Sequence, residues 1–130
     1  PYEKWEVHEF LSPVVIDNIA YCHYFPSGLL GRPISSASCM VSKLHMSCVA
    51  GHQQGRQVAY GKKADGTNIT CIIAGSCYEH QESYLNIQTN NHWRGLIMLN
   101  EVNNGSFDEM FVSLRYLREK YGKEQLEICH

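Results

Sequence analysis

Apolar residues along this chain fall in short runs separated by turn-forming residues, the signature of a strand-rich fold. EVHEF (6–10) and VVI (14–16) read as short extended segments on either side of Ser12-Pro13. Asp17-Asn18 marks a turn, and IAYCHYF (19–25), aromatic and β-branched, predicts a buried strand. Two glycines and two prolines make 26–36 a loop. Ser35 or Ser36 can then cap a helix that runs to about His45, with Met40, Val41 and Leu44 on its apolar side. His45, at the end of that helix, is favoured there by the helix dipole. A strand at 46–50 follows and stops at Gly51-His52.

The second half reads as hairpins. Ala64-Asp65-Gly66-Thr67 separates two apolar runs, so residues 56–63 are expected to pair antiparallel with 68–75. Asn103-Asn104-Gly105 does the same for 93–102 and 106–114. Between the hairpins lies a polar loop, 79–92, and a last helix (115–122) is expected to end with Gly122 as its C′ residue. One helix crosses between two strands and a meander of hairpins follows, which predicts a mostly β member of the α/β class. Residues 1–130 form one domain, with no repeat or linker.

Composition narrows the function classes. The hydrophobic fraction is 44% and the charged fraction 18%, values of a chain that folds around a core. The net charge is −2 and there is no Lys/Arg block, which argues against a general nucleic-acid-binding surface. No apolar run approaches the ~18 residues of a membrane span. Six cysteines occur without a C-x-x-C pair, and Cys22, Cys48, Cys71 and Cys77 sit in apolar runs. They read as reduced, buried thiols of a cytoplasmic protein, not as a disulfide framework or a structural zinc site.

Candidate chemistry centres on histidine. His23 lies near the end of one predicted strand, and His52 follows the strand that the crossover helix leads to. If those strands are parallel neighbours, both ends lie on one edge of the sheet, where ligand groups gather. Two neutral imidazoles there, with Gln54 two residues on, make a partial metal site. Cys22 and His23 are adjacent in a strand and point to opposite faces, which excludes a Cys–His nucleophile pair. His80 and His92 read as loop-surface residues within reach of the site mouth. Arg94 has the fork to meet a substrate phosphate, though such an Arg is as readily a surface group. Tyr24, Phe25, Tyr78 and Tyr84 read as packing residues.

YCHYFPSG, SCVAGHQQG, IIAGSCYEHQESY and HWRGLIMLNEVNNGSFDEMFVSL, in that order over about residues 5–118, resemble the C-terminal half of a calcineurin-like metallophosphoesterase, particularly bacteriophage forms. The family pattern runs D-x-H, G-D-x-x-D, G-N-H-[DE], a lone His, then G-H-x-H. The resemblance implies that His23 is the lone His and His52 the first His of G-H-x-H, both binding the second metal of a dinuclear pair. The last His of that motif falls at Gln54, a weaker ligand. It also implies half of a four-layer αββα sandwich and two divalent ions, with manganese, iron, zinc and nickel left open. The substrate would be a phosphomonoester or phosphodiester, a nucleotide or nucleic acid among the candidates; His92 and Arg94, by their own position and chemistry, are the residues expected to meet it. The three carboxylate-bearing motifs are not in residues 1–130. They are expected upstream of Pro1, which would leave this chain inactive alone and the apolar side of its sheet partly bare. The alternative is a non-catalytic binding module built on a degenerate half-domain.

Overall fold

The computed structural model describes residues 2–122. It is mixed α/β and mostly strand. Strands β1 (Val14–Ile16) and β2 (Ile19–Cys22) form a hairpin around Asp17 and Asn18, whose φ values of 50° and 61° are those of a tight two-residue turn. Beyond Cys22 the chain leaves the sheet, so the apolar run of 19–25 yields a strand three residues shorter than its pattern predicts. Phe25 turns inward instead, and its carbonyl accepts from the Ile34 N–H at 2.9 Å. The loop at 26–36 carries a miniature hairpin of β3 (Pro26–Ser27) and β4 (Arg32–Pro33). Residues 6–10, expected to be extended, lie outside any strand.

Helix α1 (Ala37–Leu44) begins at Ser36, whose hydroxyl accepts from the Cys39 N–H at 3.2 Å, and ends at His45 in the left-handed conformation, φ 56°. It leads to β5 (Ser47–Ala50), which pairs parallel with β2 in the register Ile19↔Ser47 to Cys22↔Ala50. Strands β6 (Gln57–Lys62) and β7 (Asn68–Ile73) form the first expected hairpin, and β7 also pairs parallel with β5. The five-stranded order is β1-β2-β5-β7-β6. A short helix, α2 (Ile87–Asn90), interrupts the polar loop. The second expected hairpin, β8 (Gly95–Asn103) with β9 (Ser106–Ser113), forms a separate two-stranded sheet. Helix α3 (Leu114–Tyr121) follows directly, capped by the Ser113 hydroxyl. Gly122 ends it with φ −67°, still right-handed, so the left-handed C′ turn expected there does not form.

The period of two along β2, β5 and β7 sorts their side chains into two cores. Ala20, Cys48, Ala50, Cys71 and Ile73 face α1 and pack with Met40, Phe25 and Ile34. Ile19 and Ile72 face the other way and pack under Phe107, Ile97 and Leu99 of the two-stranded sheet. The five-stranded sheet therefore has a helix on one face and a sheet on the other. Cys48 and Cys71 stand opposite each other in the β5–β7 register, and both thiols reach the Met46 carbonyl, at 3.3 and 3.5 Å. Contact with Cys71, reinforced by burial, pushes the Cys48 thiol up and keeps it neutral. Cys22, Cys39, Cys48, Cys71 and Cys77 are all free. Cys77 is exposed, not buried as its apolar run predicts, because β7 ends at Ile73. Cys129 lies outside the described residues. Among the described residues, no helix is long and apolar enough to cross a membrane.

On the outer side of the β8–β9 sheet, Leu96, Met98 and Met110 are each close to half exposed. Its hairpin turn is tied down at the opposite end of the molecule from Gly51-His52. Asn104 (φ 48°) and Gly105 (φ 85°) form a turn with two positive φ values, which the Asn-Gly pair tolerates. The Asn18 side chain donates to Asn104, and the buried Ser47 hydroxyl donates to the Gly105 carbonyl at 2.6 Å while accepting from the Thr70 N–H at 3.2 Å. One hydroxyl thus joins the two sheets. Ser47→Ala leaves that buried carbonyl without its donor and is expected to destabilise the fold by about 1–3 kcal/mol. A urea denaturation midpoint unchanged from wild type would contradict this.

Candidate metal centre

Parallel pairing decides where the two histidines meet. The β2–β5 ladder continues one step beyond its last paired residues, with the Gly51 N–H donating to the His23 carbonyl at 2.9 Å. His23 and His52 therefore leave the sheet on the same edge, as the β-α-β reading predicts. His23 Nε2 and His52 Nδ1 lie 3.1 Å apart, with ring centroids separated by 5.0 Å and planes at 73°. Both residues are exposed. Gly51 lies beneath them: a Cβ there would make ordinary contact with the His23 carbonyl oxygen at 3.6 Å and its Nδ1 at 4.0 Å.

The His52 backbone is unusual. Its φ is 65°, and the Gln53 N–H closes back on the Gly51 carbonyl at 2.7 Å, forming a three-residue γ-turn centred on a left-handed residue. Such turns are strained, and a residue with a Cβ in this region costs about 1–2 kcal/mol. The surroundings hold it in place. The Gln53 side chain donates to the Ile34 carbonyl at 2.9 Å, and the Ser76 hydroxyl donates to the Gln54 carbonyl at 3.2 Å. At Gly75 (φ 78°) a Cβ would approach the Gln54 carbonyl oxygen to 3.2 Å, so the exit of β7 runs close against this loop and leaves no room for a side chain.

Two aromatic rings complete the setting. Tyr24 lies 5.0 Å from the His52 ring and 5.7 Å from that of His23, and Phe10 lies 5.5 Å from His23. Neither is assigned to the site by sequence pattern. Tyr24 directly follows His23, a signal available in the sequence; Phe10 offered none, since its segment reads as a strand. A cleft of about 470 Å³ opens beside His23, between residues 8–12 and the ends of β2 and β5.

Gln54 behaves differently from the histidines. Its side-chain amide donates to the Tyr84 hydroxyl at 3.0 Å. His92 and Arg94 gather around Tyr78: His92 meets its ring edge-on at 6.0 Å, and the Arg94 guanidinium lies 5.0 Å over it. Arg94 also donates to the Glu79 carbonyl at 2.7 Å and to the Asn90 carbonyl at 3.4 Å. His80 stacks on Tyr78 at 4.3 Å and meets Glu82 at 2.9 Å. The parallel bridge of Ser76 with Arg94 nevertheless brings this cluster to the same end of the sheet.

The donor set tests the metal reading. Two imidazole nitrogens bonded at ~2.1 Å to adjacent right-angled positions of one ion lie about 3.0 Å apart, close to the separation found here. The spacing of the two nitrogens matches that of two ligands of one ion, though here the nitrogens face each other in a hydrogen bond. Among the described residues, no group of three or more His, Cys, Asp or Glu side chains is placed to hold an ion. In the metal-free contact, one ring donates its proton to the other's lone pair. Ligation by both requires His23 to carry its proton on Nδ1 and His52 on Nε2.

The left-handed backbone gives a stability test independent of any ligand. His52→Gly is expected to be about 1 kcal/mol more stable than His52→Ala, because only glycine adopts φ 65° without a Cβ penalty. Equal thermal denaturation midpoints for the two variants would contradict a strained turn.

No protein-family model, curated protein or solved structure matches this chain at a significant level.

Proposed function

We propose that this chain carries the histidine half of a calcineurin-like metal-dependent phosphoesterase, with the carboxylate half supplied by polypeptide upstream of Pro1. The observation that carries the reading is the 3.1 Å approach of His23 Nε2 to His52 Nδ1 at the carboxyl edge of two parallel strands. Strand-edge convergence of two imidazoles, the strained turn at His52 and the order of the motif blocks all favour it. When bound, divalent ions in such a site polarise a phosphoryl oxygen and acidify a water for in-line attack on phosphorus.

The chain's own residues have narrower tasks. His23 and His52 would hold one ion, His23 through Nε2 and His52 through Nδ1. The Gly51 N–H bond to the His23 carbonyl fixes the spacing of the two backbones. Tyr24 and Phe10 shield the rings on their apolar sides and limit their rotation. The cleft beside His23 leaves room for the missing ligands to enter. Free thiols suit a reducing, cytoplasmic setting. The engagement of Gln54 with Tyr84 favours the second reading, a binding module that has lost catalysis.

An assay on a chromogenic phosphodiester with added manganese separates the two. The 130-residue chain alone is expected to show no appreciable turnover. The chain extended upstream is expected to be active and to lose more than about 100-fold in rate on His52→Ala, beyond the cost of disturbing a metal site's outer partners. Full, His52-dependent turnover by the short chain would overturn the split-site proposal. A silent extended chain with an intact set of upstream carboxylate motifs would favour the binding module.

A further inference from the structure

Arg56 leaves the same loop as His52 but belongs to a different arrangement. Its guanidinium carbon sits 4.4 Å from the centre of the Trp93 ring and 4.5 Å from that of Phe111, while the two rings meet edge to face at 5.8 Å. This corner is built into the backbone. At Gly95 a Cβ would stand 2.5 Å from the Trp93 ring and 2.2 Å from the Val112 carbonyl oxygen, so the indole folds over space that only glycine leaves open. Among the described residues, Arg56 has no carboxylate and no hydrogen-bond acceptor as partner. A stacked guanidinium is pre-organised, and its five N–H donors form a fork that matches an oxyanion.

A groove of about 790 Å³ opens from this corner along the outer side of the β8–β9 sheet, walled by Leu96, Met98, Met110 and Val112 and by Tyr116 of α3. Among the described residues, no acidic side chain lines it. Its volume is that of a small-molecule site. One end holds the Arg56 guanidinium, which has no counter-ion among the described residues, and the walls beyond it are mostly apolar.

We propose that this groove binds a small amphipathic anion, with its oxyanion on the Arg56 guanidinium and a flat apolar body laid along Leu96, Met98 and Met110. Charge complementarity selects the anionic end, and the apolar walls exclude a bare inorganic ion as the natural occupant. The site uses neither His23 nor His52, so it stands whatever becomes of the metal reading.

Isothermal titration calorimetry of the 130-residue chain in EDTA tests it, with 1-naphthyl phosphate as the probe and 1-naphthoate, 1-naphthol and inorganic phosphate as comparisons. The expected result is one-to-one binding of naphthyl phosphate at least tenfold tighter than naphthol or inorganic phosphate. Arg56→Gln should weaken naphthyl phosphate at least tenfold and leave naphthol unchanged. Met98→Glu, a change at a half-exposed wall position, should weaken both aromatic anions through repulsion. Circular dichroism checks that each variant is folded. Naphthoate binding as tightly as naphthyl phosphate supports a general oxyanion site; binding of the phosphate alone supports a phosphate-selective one. Naphthol binding as tightly as naphthyl phosphate would overturn the proposal in favour of a plain apolar contact surface. Unchanged affinity in folded Arg56→Gln, or no binding of naphthyl phosphate at all, would overturn it outright.

Discussion

The parallel ladder between β2 and β5 is the constraint from which the candidate centre follows. Its register, with Cys22 opposite Ala50, makes the next residues on each strand leave the sheet together, and the Gly51 N–H bond to the His23 carbonyl closes the ladder at that edge. A one-residue slip of β2 against β5 would turn Ala20 from the helix-covered face to the other while Cys48 and Ala50 stayed in place. It would also separate the imidazoles by a further strand rise of ~3.3 Å. Burial on both faces therefore sets the distance between two exposed rings. The ring positions inherit their precision from a core they do not belong to.

That coupling explains the odd backbone at His52. A strand end can deliver a side chain to the edge, yet it cannot by itself aim the ring back toward the neighbouring strand. The γ-turn does so, using the hydrogen bond between Gln53 and Gly51, with the backbone at Gly75 running close beside Gln54. Strain of this kind persists only where surrounding contacts over-determine it. Here they come from Ile34, Ser76 and the β7 exit. The region around the histidines is more firmly held than their exposure suggests.

Much of this was legible in the sequence, for identifiable reasons. Asp17-Asn18, Ala64-Asp65-Gly66 and Asn104-Gly105 are turns whose residues tolerate positive φ, so the hairpins they close could be read from local chemistry. Ser36 as a cap and the crossover helix were equally local. The convergence of His23 and His52 followed from the β-α-β pattern. What local pattern misread were cases decided by tertiary packing. Residues 6–10 have strand composition but gain no partner, and Phe25 is apolar because it fills the core from a loop. The aromatic corner over Gly95 depends on contacts between residues distant in the chain. Gln54 could be assigned by motif position, but its partner Tyr84 lies 30 residues on and no spacing rule points to it.

The two turns at Asp17-Asn18 and Asn104-Gly105 and the turn at 64–66 all lie at one end of the molecule, close to Ser47. The segment at 8–12 and the start of α3 lie at the other, with the histidines and Arg94. A reporter attached through either of those segments would sit beside the imidazole edge and obstruct it. A dye or affinity handle placed at Ala64 would stand a full strand length away. Surface immobilisation through that turn would present the histidine edge, with Arg56 beside it, outward to solution.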